Sequence, residues 1–139
     1  MSAGSQPRSE VHPRTLALLE REGIPTSDLH SKSWEDLPIT PDIVITVCAS
    51  AAGETCPAYL GPVMRSHWGV DDPAAVGGTD AERDAAFAAA YRILRSRVEA
   101  LLALPLSALE RDRARLQREL DRIATQPPTS GSAGLPEPR

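Results

Sequence analysis

The chain has 139 residues, 41% of them hydrophobic and 24% charged, and carries a formal net charge of −4. That is enough chain for one domain with a modest core, and its composition excludes a polymer disordered throughout. The acidic balance argues against a nucleic-acid or anionic-membrane surface, and no apolar run approaches the roughly 18 residues a membrane span needs.

The opening MSAGSQPRSEVHPR has no continuous apolar stretch and does not read as a secretory signal. A first helix follows. Pro13 suits its first position, Leu16, Leu18 and Leu19 form an apolar stripe, and Gly23 stops it. Residues 26–41 are a polar connection broken by prolines. Asp42-Ile43-Val44-Ile45-Thr46-Val47-Cys48 is the one convincing strand, and its nearly continuous apolar run predicts burial on both faces of a parallel sheet. Residues 49–62 form a loop containing Gly and Pro. Thr79 with Glu82 predicts a capping box, after which Phe87, Tyr91, Leu94, Val98, Leu101 and Leu102 keep helical spacing until Pro105. Ser107 with Glu110 predicts a second capping box, followed by Leu109, Leu116, Leu120 and Ile123 on one face. The stripes read as core packing. Residues 1–125 are thus one α/β domain, and the Pro/Gly-rich residues 126–139 a disordered tail.

The strand count falls short of the helix count. A strand buried on both faces needs parallel neighbours on both edges. The other strand candidates are only residues 1–4 and a short piece at residues 63–68. The layout is that of an α/β domain missing part of its sheet.

Two groups of residues could carry chemistry. Cys48 ends the predicted strand and Cys56 stands eight positions later, across a loop of small residues. Active sites of open α/β sheets form beyond the carboxyl ends of the strands, and a flexible loop can bring two Cα atoms within the roughly 7 Å a disulfide needs. In a cytoplasmic setting, which is the expectation here, such a pair is reactive more readily than structural. Burial of Cys48 as an inert core residue stays open. In His67-Trp68-Gly69-Val70-Asp71-Asp72-Pro73-Ala74, Pro73 restricts Asp72 to extended backbone, which can aim its carboxyl at a pocket as a general acid. On the residues alone a simple Asp-Pro turn is the stronger reading. His12, His30 and His67 lack zinc-site spacing, so neither metal nor cofactor is expected.

Taken in order, these segments resemble arsenate reductases of the low-molecular-weight tyrosine-phosphatase type. The likeness is carried by Ser2-Ala3-Gly4-Ser5, His12-Pro13, Gly23-Ile24, Ser31-Lys32-Ser33-Trp34, Thr46-Val47-Cys48, Ala52-Gly53-Glu54-Thr55-Cys56-Pro57 and the segment from His67 to Ala74. It implies a three-layer fold with a parallel sheet and reduction of arsenate to arsenite through a cysteine relay. In that family a cysteine in a Cys-x5-Arg anion loop attacks arsenate, and the aspartate before proline protonates the leaving oxygen. A second cysteine displaces arsenite, a third resolves the disulfide, and thioredoxin, a glutaredoxin-like protein or a small thiol resets the pair. By position, Asp72 matches the general acid, Cys48 the second cysteine and Cys56 the third.

One departure is large. Six positions beyond Cys48 stands Glu54, and six beyond Cys56 stands Pro62, so the 139 residues contain no Cys-x5-Arg motif. In the family that loop and its strand precede the Ser-Ala-Gly segment, so the expectation is a fold without its first, central strand and an isolated chain without turnover. Ala49-Ser50 also departs from the acidic or amide residues usual in related sequences. The alternatives are a non-enzymatic remnant, an arsenite- or thiol-binding module built on Cys48 and Cys56, and a split enzyme completed by a second chain.

Overall fold

The computed structural model describes residues 1–4, 6–47 and 63–125. Cys48, Cys56 and the predicted tail all lie outside the described residues.

Helix α1, Pro13–Arg21, starts as its sequence predicts, with Pro13 in the first turn and the His12 ring Nδ1 accepting the Arg14 N–H at 3.1 Å. It ends where Gly23 turns to φ +76°, and the Ile24 N–H closes the end on the Leu19 carbonyl at 2.9 Å. A 3-10 turn at Trp34–Asp36 follows. Beside it Gly4 makes a single parallel bridge to Ser33. Among the described residues that bridge is all the strand pairing of the first four.

Strands β1, Ile43–Thr46, and β2, Met64–His67, pair in parallel with Ile43 beside Met64 and Thr46 beside His67. Residues 63–68 do hold a strand, although Met-Arg-Ser-His carries almost no apolar signal. The other edge of β2 is met by a helix: the Gln117 amide donates to the Arg65 carbonyl at 2.7 Å, and the Ser66 hydroxyl to Asp121 at 2.8 Å. A side-chain donor on an outward carbonyl blunts that edge. The expectation that β1 is buried on both faces is corrected. Ile43, Val44 and Ile45 are half-buried and Val47 is exposed, because β1 has one strand neighbour among the described residues.

Helix α2, Asp80–Leu102, opens on the predicted capping box: the Thr79 hydroxyl accepts the Glu82 N–H at 3.1 Å, and the Glu82 carboxylate accepts the Thr79 N–H at 3.0 Å. Gly78 precedes it at φ +105°, where an added Cβ would stand 2.7 Å from Glu82 Oε1. Only glycine satisfies both conditions. The bonds from the Thr79 backbone and then its hydroxyl hold the Glu82 carboxyl below the ordinary carboxylate range. A lowered folded-state pKa means the contribution is complete above the unfolded value and lost as pH falls through the depressed one. We therefore expect helix content at the α2 start to fall on acidification, and Thr79→Ala to cost about 1 kcal/mol and flatten that acid limb. Circular dichroism against pH for both proteins checks this.

The α2 stripe behaves differently from its spacing. Phe87 is buried near the His12 ring, centroids 4.8 Å apart, but Val98 and Leu102 are exposed. The residues that reach the core are Ala100, Leu101 and, just past the helix, Leu104. Arg14 ties α1 to α2 through Asp80, at 2.8 Å, and Asp84. Those two hydrogen bonds raise the guanidinium pKa above its ordinary value.

The C-terminal helical segment is corrected in one respect. It is two helices, α3, Leu106–Leu109, and α4, Arg113–Thr125, and α3 has no side-chain cap. The Ser107–Glu110 capping box does not form. Asp112 caps α4 instead, its carboxylate accepting the Arg115 N–H at 3.1 Å. The predicted apolar face survives the break. Leu109, Leu116, Leu120 and Ile123 are all buried, packed with Met64 and Trp68 into the core between β2 and α4. The Trp68 indole N–H finds the Leu120 carbonyl at 3.0 Å, so its one polar atom is satisfied inside that core.

Candidate functional site

Both parallel strands point their carboxyl ends the same way, and the chain leaves them through residues that the sequence singles out. Thr46, the last residue of β1, is buried and shares a 2.7 Å hydrogen bond with Nδ1 of His67, its register partner at the end of β2. The ladder continues past the strands, with the Trp68 N–H on the Thr46 carbonyl at 2.8 Å and the Val70 N–H on the Val47 carbonyl at 2.9 Å. Val47 is the residue before Cys48, and Val70 stands two positions before Asp72. The exits of the two strands are therefore held side by side.

Asp72 sits at the start of a 3-10 turn, Pro73–Ala75, with φ −70° and ψ 110°. Pro73 forbids the helical conformation at Asp72, and the Asp72 Oδ1 accepts the Ala74 N–H at 2.9 Å. The turn reading of Asp-Pro is thus correct for the backbone. It leaves the acid role open, because the carboxyl group is exposed to solvent and only one oxygen is engaged by that bond.

Two features of this end of the sheet were not foreseen from the sequence. The Thr46–His67 pair could be found only through the strand register, since 21 positions separate the two residues. Arg97, on α2, donates from Nη1 to the Gly69 carbonyl at 3.2 Å. The helical spacing of α2 hides it among the other arginines of that helix. A separate open cleft of about 200 Å³ lies between residues 2–4 and residues 30–32, with Glu10 and Lys32 on its walls, and contains none of the predicted site residues. No helix among the described residues is long and apolar enough to cross a membrane.

The sequence profile of the low molecular weight phosphotyrosine protein phosphatases matches residues 1–119. The chain belongs to that family. Its parallel sheet with flanking helices is the α/β arrangement expected from the resemblance. Among its relatives, a protein of Halalkalibacterium halodurans named arsenate reductase is 38% identical over 78 residues, covering 55% of each chain. One of Shouchella clausii with the same name is 39% identical over 83 residues, covering 59% of this chain and 58% of its own. The Bacillus subtilis arsenate reductase is 36% identical over 78 residues, again 55% of each. The chain spans about half the length of the curated relatives it matches.

Proposed function

We propose that this chain carries the thiol/disulfide part of an arsenate reductase, working in a reducing, cytoplasmic setting. The observation that carries the reading is its similarity to three proteins named arsenate reductase, at 36–39% identity. The cysteine pair and the Asp72-Pro73 turn supply the chemistry.

Arsenate forms a sulfur–arsenic bond to a nucleophilic cysteine as an oxygen leaves, and Asp72 gives that oxygen its proton. The Cys48 thiolate then attacks the cysteine sulfur. The electron pair of the breaking S–As bond stays on arsenic, which falls from As(V) to As(III) and departs as arsenite. Cys56 attacks Cys48, frees the first cysteine as thiolate and leaves a Cys48–Cys56 disulfide. A dithiol protein of thioredoxin or glutaredoxin type, or a small thiol, returns two electrons and two protons to that disulfide. The first thiolate belongs to a Cys-x5-Arg loop, and these 139 residues contain none. The two cysteines support a second reading, in which reduced Cys48 and Cys56 capture arsenite without any reduction step.

Mild oxidation of the purified chain, followed by thioredoxin, thioredoxin reductase and NADPH, separates the two. The relay reading expects loss of both titratable thiols, then oxidation of one NADPH per chain, with neither Cys48→Ser nor Cys56→Ser consuming a full equivalent. Two thiols that stay titratable after oxidation, but disappear on adding arsenite, would favour the capture reading.

A further inference from the structure

We infer that Arg97 is a positioning residue for Asp72, fixing the segment that carries the acid by gripping the carbonyl of Gly69. The inference rests on the reading of Asp72 as proton donor. A donor must be delivered to one place, and Asp72 itself is exposed, on a turn closed by local bonds to the Ala74, Ala75 and Val76 N–H groups and packed on α2. Its position also depends on the segment upstream, where the chain leaves β2.

Three hydrogen bonds fix that exit. The Trp68 and Val70 N–H groups bond to carbonyls of residues 46 and 47, and the Gly69 carbonyl between them accepts from Arg97 Nη1 at 3.2 Å. The first two tie the segment to the sheet, and the third is its hydrogen bond to α2, on which the Pro73–Ala75 turn also packs. Gly69 is packed from the other side as well: a Cβ there would stand 2.9 Å from Nε2 of His67.

The energetics of Arg97 argue against a purely structural role. Its Nε is buried and has no hydrogen-bond partner among the described residues. A buried donor left unpaired destabilises a fold. Gly69 is exposed, so water could satisfy its carbonyl if the guanidinium were absent. An unbranched apolar side chain would pack at position 97 without the orphaned donor. What it would lose is the hydrogen bond from α2 to the exit of β2.

The test compares the full chain, 15N-labelled, with Arg97→Met and Arg97→Lys. In Arg97→Met the urea midpoint is expected to stay level or rise. Hydrogen exchange at the Val70 amide is expected to accelerate roughly tenfold, as local opening does. The Asp72 Hα–Hβ couplings should move from one rotamer toward averaging, while exchange at Leu120 and Ile123 stays unchanged. Arg97→Lys, which keeps a charged donor, should recover at least half of the Val70 protection. Unchanged Val70 exchange and Asp72 couplings in Arg97→Met would overturn the inference. So would a lysine variant as loose as methionine, or uniform acceleration with a lowered urea midpoint. None of these readouts needs arsenate, so a failure of Asp72 as proton donor, seen as normal turnover by Asp72→Asn once the chain is joined to a polypeptide supplying a Cys-x5-Arg loop, is separately visible.

Discussion

Leu120→Ala is expected to cost about 2–5 kcal/mol, a large share of the roughly 5–15 kcal/mol that stabilises a domain. Leu120 is 0% exposed and lies at the centre of the cluster that joins α4 to β2. Truncation removes its burial and leaves a cavity beneath Trp68, whose indole bond to the Leu120 carbonyl fixes the ring and limits collapse into the space. Met64 and Trp68 belong to the same cluster, so loss of α4 packing should also expose them. Leu102→Ala is the control: at 68% exposure it should stay within about 0.5 kcal/mol of wild type. Urea unfolding followed by tryptophan fluorescence and circular dichroism checks both. Equal midpoints for the two variants would mean that the core lies elsewhere.

That contrast between Leu120 and Leu102 also shows what a sequence can convey. Local signals with their own hydrogen bonds were legible: Pro13 and Gly23 around α1, and Thr79 with Glu82 before α2. The Ser107–Glu110 pattern has the same spelling and fails. It sits just after Pro105, inside the four-residue turn of α3, and that turn ends before a longer helix can use the cap. Asp112 is placed where α4 begins, and a lone aspartate before an arginine-rich run gives little warning of it. The spacing of α2 conveys part of its facing: Phe87 is buried and Leu101 packs on the core, as the stripe implies. At 23 residues the helix is about 34 Å long, and Ala100, outside the stripe, packs on the core beside Leu101. Val98 and Leu102 keep the period but turn outward. The extended backbone of Asp72 and the turn after it were legible because Pro73 dictates them. Thr46–His67 and Arg97–Gly69 were not, because each depends on which strand or helix the chain brings alongside.

The purified 139-residue chain, given thioredoxin, thioredoxin reductase and NADPH, is expected to release no arsenite from arsenate beyond the protein-free rate. The attacking thiolate and the backbone donors that hold the oxyanion lower the barrier most, and neither cysteine here is followed by an arginine six positions on. Joined to a polypeptide that supplies a Cys-x5-Arg loop, the chain should turn over. In that joined protein Asp72→Asn should lower kcat about 10²–10⁴-fold. Asparagine is a suitable replacement because its side-chain oxygen can still accept the Ala74 N–H and preserve the turn, yet it has no acidic proton to give. Cys48→Ser should stop the reaction before arsenite leaves. Cys56→Ser should allow one arsenite and no second, because the disulfide then traps the first cysteine. Steady arsenite release by the isolated chain would refute the need for a separate nucleophile. Wild-type kcat in Asp72→Asn would return Asp72 to the role of a turn former, with the proton coming from solvent.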